Sequence, residues 1–203
     1  MKVLVLSPYP ERLAGTFAAA RDDMLATTDP IDLGYCRASG VDWIVSYGYR
    51  HMLRPPLLAE YRRRAVNLHV SYLPWNRGAD PNLWAWFDGT PKGVTIHFID
   101  EGLDTGDIVE QELVTFSGSE TLASSYEALR RKVEGLFDRV WPALRGGEIA
   151  GRRQEGPGSV HRSADKGDLF DRLSQGWDTP VLEVAALGEE IRLGAEGADD
   201  DPG

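Results

Sequence analysis

Asn67, His69 and Ser71 alternate along the apolar run VNLHVSYL, so a strand there would carry all three side chains off one face. Downstream, VTIHFIDEGLDTGD places Asp104 in a loop able to reach that face. An amide, an imidazole and a carboxylate gathered in this way suit acyl chemistry on an amine. His69 can donate to an oxygen that gains negative charge and can handle a proton near neutral pH. Asn67 adds a second, fixed donor. Two donors aimed at one oxyanion stabilise a tetrahedral intermediate, and loss of one costs on the order of 100- to 1000-fold in rate. Asp104 would orient the imidazole and favour its protonated form. A nucleophilic reading with Ser71 competes, but Ser71 sits two residues from His69 on the same strand, and no G-x-S-x-G elbow occurs. Ser71 is better placed packing in the turn before Leu73-Pro74.

The remaining histidines add no metal motif. His51, His69, His97 and His161 are isolated, with no paired His or Cys at zinc-like spacing, and no metal is expected. His97 lies on a run whose Val94, Ile96 and Phe98 point one way, which sends His97 to solvent or across the sheet.

Short β-rich runs at Lys2 to Leu6, Asp42 to Ser46, Val66 to Val70 and Val94 to Phe98 alternate with helical or turn-rich segments. That order predicts an α/β fold with a mostly parallel sheet. Ala14 to Leu25 reads as a first helix. Asp80-Pro81 reads as an N-cap with a first-turn proline, opening a helix that carries Leu83, Trp84 and Phe87. Trp75, Trp84 and Trp86 read as packing residues. Ser117 to Glu120 fits a capping box before a long helix with Leu122, Tyr126, Leu129, Val133, Leu136 and Val140 on one face, ended by Gly146-Gly147.

With 203 residues and 42% hydrophobic content the chain is long enough for one good core. The domains expected are a catalytic domain over 1–147, a C-terminal appendage over 148–193 and a disordered acidic tail over 194–203. A net charge of −10 argues against broad affinity for nucleic acid. The single cysteine, Cys36, excludes an internal disulfide and fits a reducing cytoplasm. MKVLVLSPYP is too short to span a membrane, lacks a signal cleavage pattern and reads as the first strand. Apolar positions on the long helix or near Leu169-Phe170 could build a homodimer or close the core.

Asn67-Leu-His69, the following SYLPWNRGA and the loop GLDTGD from Gly102 to Asp107 carry a family resemblance, over roughly residues 41 to 115. The chain resembles the formyltransferases that use 10-formyltetrahydrofolate. The resemblance implies a Rossmann-like domain of formyltransferase type and catalytic roles for Asn67, His69 and Asp104. A neutral amine would attack the formyl carbon, the oxyanion would be held by Asn67 and protonated His69, and a proton would pass to the leaving N10. It also implies a folate pocket with one wall in SYGYRHML (Tyr47, Gly48, Tyr49, Arg50, Met52, Leu53) and the other in IDEGLD (Ile99, Asp100, Gly102). Ser71, Trp75, Asn76, Arg77 and His161 are the residues expected at the acceptor.

Asn67 comes earlier than in related catalytic domains, as though about one strand-helix unit were missing near the N-terminus. SPYPERLAGT lacks a glycine-rich phosphate loop, which counts against glycinamide ribonucleotide as acceptor. Enzymes that formylate methionyl-tRNA carry a C-terminal β-barrel and a basic surface, unlike this acidic chain. The loop PWNRGADPN and the segment GPGSVHRSADKGDLFDRL resemble formyltransferases acting on nucleotide-linked amino sugars, the acceptor expected here. Glycinamide ribonucleotide or a specialised-metabolite amine stands as an alternative, and so does a folate-binding protein without turnover.

Overall fold

The computed structural model describes residues 1–198. Strand β1 (Lys2–Leu6) leads through a 3-10 turn at Pro10–Leu13 into α1 (Ala14–Ala20). The helix expected to reach Leu25 stops early, because Arg21 takes a left-handed conformation with φ 57°. Met24 and Leu25 instead lie in β2 (Asp23–Thr27), parallel to β1. Tertiary pairing here overrides the helical preference of an alanine-rich segment. Then follow α2 (Leu33–Ser39), capped by the Asp32 carboxylate, β3 (Trp43–Ser46), α3 (Pro55–Glu60) and β4 (Ala65–His69). The chain continues through β5 (Arg77–Gly78), α4 (Pro81–Phe87), β6 (Gly93–Phe98), β7 (Ile108–Leu113) and α5 (Leu122–Arg145). It ends with β8 (Val160–His161) and α6 (Val181–Ala198).

Six strands form the main sheet in the order β2-β1-β3-β4-β6-β7. The first four are parallel, β6 runs antiparallel to β4, and β7 runs antiparallel to β6. This is the mostly parallel α/β architecture that the alternation of elements predicts. Both faces are covered, so the central strands are apolar on both sides. Val3, Val5, Val45, Val66, Leu68 and Ile96 face α1 and α5, while Leu4, Leu6, Ile44 and Ala65 face α2 and α3. Asn67 and His69 therefore leave the sheet on the side opposite Val66 and Leu68.

Helix α5 buries Leu122, Leu129, Val133 and Leu136, as the spacing predicts, with Tyr126 and Val140 at the margin of the core. Its capping box lies four residues beyond the expected one: Thr121 and Ser124 bond reciprocally, and the Glu120 carboxylate turns back to the amides of Ser117 and Gly118. Pro81 does occupy the first turn of α4. Asp80, however, has φ 49° and does not cap with its side chain, which pairs with Lys166 at 3.2 Å.

The segment after α5 is tied to the rest of the fold at several points. Arg152 bridges Ile108, and β8 pairs with β5. Leu173, Val181 and Val184 bury against Leu83, Trp86 and Leu122, where Leu169 and Phe170 also pack and so close a core. Helix α6 continues through 194–198, where a disordered tail was expected, and the rest of that tail, 199–203, lies outside the described residues. Among the described residues no helix is long and apolar enough to cross a membrane.

Candidate active site

The antiparallel register of β4 on β6 sets Asn67 opposite His97 and His69 opposite Thr95. Beyond β6 the loop turns back so that the Phe98 amide donates to Asp107 O at 2.9 Å, closing it beside the start of β4, where Val66 pairs with Phe98. The closure requires glycine at 106, where an added Cβ would stand 1.8 Å from Phe98 O. Asp104 itself takes a left-handed backbone, φ 52°, which aims its carboxylate inward.

Four groups surround that carboxylate. Oδ1 accepts from Asn67 Nδ2 at 3.1 Å and lies 3.3 Å from His97 Nε2. Oδ2 accepts from the Gly78 amide at 2.8 Å and faces His69 Nδ1 at 3.7 Å. Burial raises the Asp104 pKa, but the imidazoles of His69 and His97 and the Gly78 amide outweigh it and hold the carboxyl well below the usual carboxylate range. Asp104 is therefore an anion at neutral pH.

His69 is buried, and its Nε2 donates to the Asn76 carbonyl at 2.9 Å. That bond fixes the ring and leaves Nδ1 as the nitrogen that faces Asp104. Both ring nitrogens thus face acceptors. The Asn67 amide is engaged with Asp104 and with His97 Nε2 at 3.3 Å. To hold an oxyanion it must exchange one of these partners for the substrate oxygen.

His97 is a member of the cluster to which sequence reasoning gave no chemical role. It is buried, and its Nδ1 donates to Phe98 O at 2.8 Å. Nε2 as an acceptor meets Asn67, and as a donor meets Asp104. The signal was present in the alternation along β6, which turned His97 away from Val94, Ile96 and Phe98, but only the strand register identifies what it faces.

The expected folate walls divide between the two layers. Tyr49, Leu53 and Ile99 pack on one apolar cluster, Arg50 and Met52 are exposed beside it, and Asp100 accepts from Gly102 N and Thr105 Oγ1 to shape its turn. Gly48 has φ 70° and lies against Tyr9, where a Cβ would fall 2.0 Å from the hydroxyl. Tyr47 turns to the opposite layer, where its hydroxyl donates to Glu134 at 2.7 Å. Residues 48–53 make no backbone–backbone hydrogen bond among the described residues, so their amides and carbonyls are available to a ligand.

On the acceptor side, Ser71 is buried and donates to Trp75 O at 2.7 Å, with Trp75 half-buried. Asn76 is fully buried, bonded to Thr90 and Ser159, and serves the cluster through its carbonyl on His69. Arg77 donates twice to Gln154 Oε1. His161 stacks on Trp84 at 4.0 Å, and its Nε2 lies 2.8 Å from Asp88. Ser71, Asn76 and His161 thus all have protein partners.

The formyl transferase family model matches residues 26–140, more than half of the chain. The structure is similar to the formyltransferase PseJ from Anoxybacillus kamchatkensis, solved in complex with UDP-4,6-dideoxy-4-formamido-L-AltNAc and tetrahydrofolate. The identity is 42% over 93% of this chain and 100% of that one, with a TM-score of 0.88. A 4-N formyltransferase from Francisella tularensis shares the fold at 19% identity, over 91% of this chain and 85% of that one, with a TM-score of 0.73. So does the methionyl-tRNA formyltransferase from Clostridium thermocellum, at 14% identity, 79% and 70% coverage and a TM-score of 0.62. The chain belongs to the formyl transferase family.

Proposed function

We propose that this protein transfers the formyl group of 10-formyltetrahydrofolate to the primary amine of a nucleotide-linked amino-deoxy sugar. One observation carries the reading. Asn67, His69 and Asp104 converge at the end of β4 in a chain 42% identical, over 93% of its length, to an enzyme solved with a UDP-linked 4-formamido sugar and tetrahydrofolate. A 4-formamido sugar is what formylation of a 4-amino sugar yields, so a UDP-linked 4-amino-4-deoxy sugar is the first acceptor to test. A small acceptor also suits a net charge of −10, which opposes binding to RNA. Cys36 is buried and free, in keeping with a reducing cytoplasm.

The residues fit a folate. Tyr49, Leu53 and Ile99 offer an apolar flank, and the unpaired backbone of 48–53 offers donors and acceptors to the edge of a pterin ring. Bound there, folate supplies a formyl carbon on N10 and departs as tetrahydrofolate. As the amine adds to that carbon, Asn67 turns its amide to the developing oxyanion and His69 donates from Nδ1. Asp104 balances the imidazolium charge. The new C–N bond stays, the bond to N10 breaks, and the proton lost by the amine reaches N10 through His69 or a water. No covalent enzyme intermediate is needed.

The test is tetrahydrofolate release from 10-formyltetrahydrofolate across UDP- and dTDP-linked 3-amino and 4-amino sugars, with Asn67→Ala as the blank. Acceptor-dependent release with a nucleotide amino sugar is expected. No turnover with any of them, together with no rise in melting temperature on adding a folate, would sink the proposal.

A further inference from the structure

We propose that Gln154, in the segment after α5, is a positioning residue that clamps the Asp104 loop to the Arg77 loop; its kinetic consequences rest on the reaction proposed above. The backbone of nearby Arg152 exchanges hydrogen bonds of 2.7 and 2.9 Å with Ile108, which brings Gln154 alongside the loop. The carboxamide then uses its full capacity. Nε2 donates to Asp104 O at 2.8 Å and Gly106 O at 2.9 Å, and Oε1 accepts from Arg77 Nε at 3.0 Å and Nη2 at 2.8 Å. The opposite amide orientation would set NH2 against the guanidinium and an oxygen against two carbonyls, so the partners themselves fix the side chain.

Neither the Asp104 nor the Gly106 carbonyl accepts from a backbone amide among the described residues. Gln154 supplies what the loop's own backbone does not. The placement matters because Arg77 immediately precedes Gly78, whose amide holds Asp104 Oδ2 at 2.8 Å. Gln154 therefore grips the backbone on both sides of that bond, through the Arg77 side chain on one flank and the Asp104 carbonyl on the other. The carboxylate opposite His69 is positioned from a residue fifty positions away in sequence.

Gln154→Glu separates clamping from folding. A glutamate keeps the bond to Arg77 but turns an oxygen towards both loop carbonyls, whereas Gln154→Ala removes all four bonds. In both variants kcat should fall about 10- to 100-fold, the scale of a misplaced catalytic group, while the KM for the folate changes less than about threefold. The Asp104 carboxyl pKa, followed by 13C NMR, should rise in both as the carboxylate loses its fixed donors. Unchanged kcat and unchanged Asp104 pKa would overturn the clamp, and so would a lower melting temperature as the sole effect. If the wild-type protein transfers no formyl group, the Asp104 titration still decides the clamp, and only the functional reading falls.

Discussion

Asp104→Asn keeps the shape of the side chain and removes its charge, so it isolates what the carboxylate does for His69. Oδ2 lies 3.7 Å from His69 Nδ1, with the two side chains only 12% and 6% exposed. A unit charge pair at that separation is worth roughly 4 kcal/mol at an effective dielectric of about 20. The attraction is strongest where His69 carries an imidazolium charge, as the proposed transition state requires. The asparagine also turns an NH2 group towards either the Gly78 amide or the Asn67 amide, both of which now donate to a carboxylate oxygen. A loss of roughly 3–4 kcal/mol in transition-state stabilisation corresponds to about 100- to 1000-fold in kcat. The assay is rapid-quench formation of tetrahydrofolate at saturating folate and amino sugar, with a melting curve as the control for folding. A variant that melts like wild type and retains kcat within about tenfold would refute the charge-pairing argument.

Asn67→Ala and His69→Ala should each lose at least about 100-fold in kcat, following the effect of removing one oxyanion donor. Both should still show a folate-induced rise in melting temperature, and near-normal turnover in both would falsify the mechanism. Gly78→Ala, at φ 91° with a Cβ 2.2 Å from His161 O, should push β8 off β5 and shift the amide that holds Asp104. A kcat loss of about tenfold or more, together with lower thermal stability, is expected. Stability should also fall in acid. Asp104 is held below its unfolded pKa of about 3.9, so its ionised form favours the fold above that pH, and the contribution is lost as pH falls towards the folded value. Asp104→Asn should therefore narrow the difference in melting temperature between about pH 7 and pH 3, and an unchanged difference would count against the depressed pKa.

The elements read most easily from sequence were those whose pattern is local. The apolar runs of β1, β3, β4 and β6 and the helical spacing of α5 all form as expected, because a buried strand or helix writes its period into consecutive residues. Strand β2 was hidden within an apparent helix. Its pairing with β1 depends on the turn at Arg21, and arginine in a left-handed conformation carries no local signal. The caps failed for a similar reason. Several hydroxyls and carboxylates stand before α4 and α5, and which of them meets a free amide is decided by how the chain enters the helix.

The same division runs through the site. Asn67 and His69 sit two apart on one strand, and Asp104 lies in a distinctive loop, so their convergence could be foreseen from spacing and family pattern. Their detailed roles could not, because the partners that set them come from elsewhere in the chain. His97 meets Asn67 through the register of β6, Asn76 offers its carbonyl from a loop that buries its own side chain, and Gln154 arrives from beyond α5. Each is a polar group whose meaning lies in the neighbour that satisfies it. A buried anion such as Asp104 is tolerable only when every oxygen is matched. The donors recruited to match it, Asn67, Gly78 and the two imidazoles, are also groups able to respond when a substrate places new charge among them. The network that makes Asp104 stable in the fold and the network that would carry the reaction are therefore largely the same set of atoms, so damage to an outlying member such as Gln154 should register in rate before it registers in stability.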